Sequence, residues 1–216
     1  MHRLTVVHSG GQGVLCPATV AGRLHACRGS HSQFMSYRQV LQQLALNTHG
    51  VITTGEARAV GIPAVEVRKI AARGFLQRIG HGAYRVLLVP ATPETPYAEA
   101  LAIAGAGSFL GPAATLAVAR LMPMRHVLDV YVPRVPRRAV VPGVLVEQAP
   151  AYNCDTTTIR GLRTLALVNA LAQHHPRWGE DRLSLILDEA RHRRLISEEE
   201  WAEVRSIRHG CGWRDC

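Results

Sequence analysis

The stretch THGVITTGEARAVGIPAVEVRKIAARGFLQRIGHGAYRV, residues 48–86, decides the fold. Thr53 and Glu56 have the Thr-x-x-Glu spacing of a capping box and start a helix over Gly55–Ala59. Gly61-Ile62 makes a turn, and Pro63 stands where proline is tolerated, at the first turn of a second helix. That helix runs to about Arg73, where Gly74 supplies the left-handed stop. Val67, Ile70, Ala71 and Gly74 share its inward face; Ala64, Arg68 and Ala72 share the outward one. Two strand-like runs follow, Phe75–Ile79 and Ala83–Leu88, joined by Gly80-His81-Gly82. Helix, tight turn, helix and basic hairpin make a winged helix-turn-helix.

Working outward, Ser36–Asn47 has apolar residues at Val40, Leu41 and Leu44, a helical stripe that opens the domain. Residues 1–34 hold no acidic residue and no convincing period. They are either a disordered basic arm or the product of a start placed upstream of the true one at Met35. The run GGQG lacks the Gly-Lys-Ser/Thr of a phosphate loop. On the other side, 90–96 (PATPETP) is a linker and the winged helix occupies 35–89. A small mixed α+β domain spans 97–208, and 209–216 is a tail.

Within that second domain, Tyr97–Ala106 is helical and Gly111-Pro112 opens another helix. Strands are expected at His126–Val132, Val144–Gln148 and Thr156–Ile159, and helices at Arg163–His174, Asp181–Arg193 and Ser197–Arg208. The last starts with a Ser197/Glu200 capping box. Strands with helices on either side give an α+β class for the whole chain.

The chain of 216 residues carries a net charge of +9, which favours a polyanionic partner or an anionic surface. Residues 48–86 concentrate that charge: Arg58, Arg68, Lys69, Arg73, Arg78 and Arg85, with His49 and His81 able to join, against Glu56 and Glu66. In a winged helix the second helix enters the major groove with its N-terminal side chains on base edges. Here those are Ala64, Val65, Arg68 and Lys69. The Arg68 fork matches guanine O6 and N7, and alanine meets thymine methyls. Arg73, Arg78 and Arg85 fall where phosphates run, and His81 joins them at the wing tip, within reach of the minor groove. The alternative is a winged helix that docks a protein. Arg134, Arg137 and Arg138, in a proline-broken loop, form a second basic patch, either laid along a phosphate backbone or simply solvated.

Enzymatic chemistry finds no foothold. Gly-x-Ser-x-Gly, His-Glu-x-x-His and Walker motifs are all missing. Asp188, Glu189 and His192 on one helix have the character of a charged surface stripe. The sole lysine, Lys69, belongs to the reading helix rather than to a nuclease core. Five cysteines without a CxxC (Cys16, Cys27, Cys154, Cys211 and Cys216) fit thiols of a reducing cytosol better than zinc. No cofactor or metal is expected. Without an apolar run of transmembrane length or a signal peptide, a cytoplasmic protein is expected.

With both halves in view, the chain resembles the AbiEi-family antitoxins of bacterial type IV toxin–antitoxin systems. The resemblance rests on GVITTGEARAVGIPAVEVRKIAARGFLQRIGHGAYRV in the first half. In the second it rests on SFLGPAATLAVARLMP, HVLDVYVP, PGVLVEQ and TTTIRGLRTLALVNALA. Asn169 stands where many members have Asp, and 1–34 has no counterpart. The resemblance implies a winged helix that binds inverted repeats at its own promoter as a repressor. It also implies a second domain that assists on DNA and is needed to counter a nucleotidyltransferase-like toxin, with or without direct contact. A transcriptional regulator with no toxin partner is the other reading.

Overall fold

Ser36 and Gln39 cap each other's backbone at the start of α1 (Tyr37–Leu46), and Thr53 and Glu56 do the same for α2 (Thr54–Ala59). The computed structural model describes residues 36–134, 142–151, 154–174 and 180–206. All belong to one compact unit, Met35–Cys216. The arm at 1–34, Arg137, Arg138, the tail, and every cysteine except Cys154 lie outside the described residues.

After α1 come β1 (Val51–Thr53), α2, α3 (Ala64–Ala72), β2 (Leu76–Gly80) and β3 (Ala83–Val86). The three strands form an antiparallel sheet in the order β1-β3-β2. Pro63 stands just outside α3 as its cap, and Gly74 takes φ +78 after it, the left-handed stop its position requires. Leu41, Ile52, Ile62, Val67, Ile70, Leu76 and Val86 make the core. This is a winged helix. Its extra strand, β1, is too short for an alternating pattern to announce it.

The second half runs α4 (Thr95–Ala104), β4 (Phe109–Leu110), α5 (Pro112–Val118), β5 (Leu128–Val132), β6 (Val144–Gln148), β7 (Thr156–Ile159) and β8 (Leu162–Leu165). Helices α6 (Leu167–His174), α7 (Glu180–His192) and α8 (Glu198–Ser206) follow. Its sheet has the order β6-β5-β4-β8-β7, with β5–β6 and β4–β8 parallel and the other pairs antiparallel. The chain is thus α+β in both halves, and Ser197 and Glu200 cap α8 as their spacing requires.

Three stretches of the second half depart from the sequence reading, the first being Thr95 and Pro96, which open α4 instead of belonging to the linker. Residues 163–165 are strand, not the start of a helix. Arg160 and Gly161 both take positive φ (52 and 77), the geometry of a tight hairpin turn, so Leu162–Leu165 folds back on β7 and α6 starts only at Leu167. Phe109–Leu110 is a strand two residues long wedged between β5 and β8.

The motif SFLGPAATLA and the Asp of HVLDVYVP turn out to be one device. Both Asp129 carboxylate oxygens accept from the start of α5, from the Ala113 amide at 2.9 Å and the Ala114 amide at 2.7 Å. Gly111 leaves room for that carboxylate, since a Cβ there would lie 2.5 Å from Asp129 Oδ2. At the other end of α5, Arg193 donates to the carbonyls of Ala119 and Arg120, both at 3.0 Å.

The two halves share packing. Val51 of β1 lies in a cluster with Tyr97, Ala98, Leu110, Val130 and Leu162, so α4 covers the outer face of the winged-helix sheet. Segment 90–96 carries polar cross-links. Thr95 Oγ1 donates to the His49 carbonyl at 2.9 Å. The buried Glu94 carboxylate receives Arg120 at 3.3 Å and Arg160 at 3.4 Å. The Arg160 carbonyl, which can only accept, takes the His49 Nε2 proton at 2.7 Å. Burial pushes the Glu94 carboxyl up, but a backbone hydrogen bond and the two guanidiniums outweigh it and hold its pKa below the ordinary value.

Candidate nucleic-acid interface

Alternation on α3 sorts its side chains. Val67 and Ile70 point into the core, Ala64 is half-buried, and Val65, Arg68, Lys69, Ala72 and Arg73 are exposed. Val65 is 49% exposed, which leaves its methyls open to a methyl-bearing base edge. Lys69 pairs with Glu66 at 2.8 Å, an exposed contact of small worth that leaves its ammonium free to exchange partners. Arg68 has no carboxylate within ion-pair distance among the described residues.

Beside α3 runs an open groove of about 1040 Å³. Ala64 and Arg68 line it from α3, and Arg58 from α2. Arg78 and His81 line it from the wing, and Arg163 from β8. All of these except Ala64 are exposed. Arg78 is steadied by its Nε donating to the Gly80 carbonyl at 3.1 Å. Arg163 is held only by long contacts, to the Gly107 carbonyl and Thr156 Oγ1 at 3.4 Å and to the Phe109 ring. Among the described residues Glu56 is the groove's one carboxylate, and its Oε2 accepts from the Thr53 amide and hydroxyl. The net field is strongly positive.

Of the residues expected to meet DNA, the fold gathers Ala64, Arg68, Arg78 and His81 along this groove, with Val65 and Lys69 on the adjoining face of α3. Arg73, the cap residue at the far end of α3, is exposed but stands outside the groove. Arg134 is exposed. Arg85 does not reach any surface. It is 8% exposed and donates to the His49 carbonyl at 3.2 Å and the Val89 carbonyl at 3.1 Å, with Glu99 of α4 at 3.8 Å. The reason lies in the second half. An isolated winged helix leaves that side of β3 to solvent, whereas here α4 covers it and turns Arg85 into a bracket under the left-handed His49-Gly50 corner. His49 is likewise engaged, through Thr92 and Arg160, and is not a spare cation.

Arg58 and Arg163 complete the groove unforeseen. Arg58 was visible as a charge but its direction was not, and Arg163 comes into place only through the β7–β8 hairpin. Asp188 and Glu189 are exposed, as a charged surface stripe would be; Asp188 accepts from Trp201 at 3.3 Å and Glu189 lies 3.9 Å from Arg193. Burial, then the Asp155 charge, pushes the Cys154 thiol up, away from reactivity. Among the described residues, no helix is long and apolar enough to cross a membrane, and no three His, Cys, Asp or Glu side chains are grouped to hold a metal.

Residues 39–87 match the family model described as transcriptional regulator, AbiEi antitoxin. The match starts within α1 and ends just past β3, so it covers the winged helix almost end to end. The resemblance to the AbiEi antitoxins holds over this segment. No curated protein matches the chain.

Proposed function

We propose that this protein is a DNA-binding antitoxin that represses its own operon, counteracts a nucleotidyltransferase-like toxin and catalyses no reaction itself. One observation carries the DNA reading. Arg68 and Arg78 are exposed, lack a carboxylate partner among the described residues, and flank one groove beside the recognition helix. Cations kept bare at that position lower the cost of taking up phosphate and base-edge acceptors. In this reading Ala64, Val65, Arg68 and Lys69 face base edges, and Arg78, His81 and Arg73 face phosphates. Toxin opposition rests on the family match alone.

The test is binding to the DNA upstream of the protein's own gene, measured against salt. Arg78→Ala should flatten the slope of log K against log salt by about 0.9 and weaken all sequences alike. Arg68→Ala should instead narrow the gap between specific and random DNA, by roughly 1–3 kcal/mol. Wild-type affinity and slope in both variants would sink the reading. For the toxin, co-expression of a neighbouring nucleotidyltransferase-like gene should be tolerated with this chain and growth-arresting without it.

A further inference from the structure

The groove is larger than the reading face requires. Val65, Lys69 and Ala72 are exposed on α3 yet do not line it, so the two surfaces meet only along Ala64 and Arg68. Its deeper lining comes from elsewhere: half-buried Leu101 and Ala102 of α4 and buried Leu162 of β8, beside the hydroxyls of Thr53, Thr54 and Ser108. The three hydrocarbon side chains form its apolar floor, and the exposed Arg58, Arg68, Arg78 and Arg163 form its rim. At about 1040 Å³ and partly open to solvent, the groove lies at the upper end of the usual small-molecule range. A duplex carries its phosphates at its perimeter. It meets the rim but offers the floor nothing to bury.

We propose that this groove docks an acidic, leucine-bearing peptide segment of a partner protein, and that the docked segment excludes DNA. Carboxylates match the arginine forks in charge and planar geometry, and among the described residues four exposed arginines stand in the lining against one carboxylate, Glu56. Leucine side chains between those carboxylates remove Leu101 and Ala102 from water. Exclusion follows because Arg68 and Arg78 serve both occupants. That second part rests on the DNA reading given above. A partner rising in concentration would then release the operator.

The test uses the full chain with two labelled peptides of equal length, one alternating Glu and Leu and one all Glu, and a duplex from the upstream DNA. The mixed peptide is expected to bind at least about tenfold more tightly than the all-Glu peptide and to displace the duplex. Leu101→Gln and Ala102→Gln are each expected to weaken the mixed peptide by about fivefold while leaving duplex affinity within about twofold. Equal affinity for the two peptides, or indifference to both floor variants, overturns the proposal and leaves a rim that recognises DNA only. Selective capture of the mixed peptide without duplex binding upholds the docking site and sinks the DNA reading instead.

Discussion

The winged helix and the half behind it are both rich in arginine, yet they use it in opposite ways. In the first, Arg58, Arg68 and Arg78 stand exposed around a groove with no carboxylate partner among the described residues. In the second, Arg163 lines the same groove and Arg134 is exposed, but five others are structural. Arg120 and Arg160 close on Glu94, Arg193 ties off α5, and Arg191 and Arg205 lie over Trp201 with guanidinium carbons 4.7 and 4.6 Å from the ring centre. Net charge therefore overstates what a polyanion can reach. What matters is which cations the fold leaves unspent. Arg85 sharpens the point, since it belongs to the winged helix by sequence and to the structural class by contact.

The comparison breaks first, if it breaks, at Arg85. Arg85→Ala strips a buried carbonyl of its donor and should cost about 3 kcal/mol of stability, a fall in melting temperature of roughly 10 °C. Arg68→Ala should stay within about 0.5 kcal/mol of wild type. Equal melting curves for the two variants would erase the distinction between structural and available arginines. Next in size is Gly111→Ala, which presses a methyl against Asp129 and should cost about 2 kcal/mol by calorimetry without altering DNA affinity.

A smaller effect concerns Glu94. Its folded pKa is lowered, so its contribution is whole above the ordinary value of 4.5 and is lost as pH falls from there through the lowered value. Melting temperature should therefore drop more on acidification below that point for wild type than for Glu94→Gln. Parallel acid profiles would detach Glu94 from the arginines. Smallest is Glu66→Gln, which releases Lys69 and should change DNA affinity by less than about 1 kcal/mol, in the tighter direction.

The winged helix was legible because its signals are local. The Thr53/Glu56 box, Gly74 and the Gly80–Gly82 loop each act within a few residues and appear where the pattern puts them, with Pro63 one place earlier, as the cap of α3. Arg85 is not legible in sequence because its burial is decided by α4, which begins within 90–96 and packs on the sheet from behind. Arg163 escaped notice for the same kind of reason, as a hairpin turn at Arg160-Gly161 aims it at a wing eighty residues upstream. Strands β1 and β4 are too short for alternation to show. The groove's apolar floor is assembled from two stretches of chain about sixty residues apart, and no short window of sequence contains it.

The central claim is that Arg68 reads a guanine from the recognition helix. It is tested most directly by replacing each guanine of the bound site in turn with 7-deazaguanine, which lacks the N7 acceptor. Wild type should lose roughly 1–3 kcal/mol at one guanine, and Arg68→Ala should be indifferent to that same replacement. Equal losses for both proteins at every guanine, or none for either, would contradict the account.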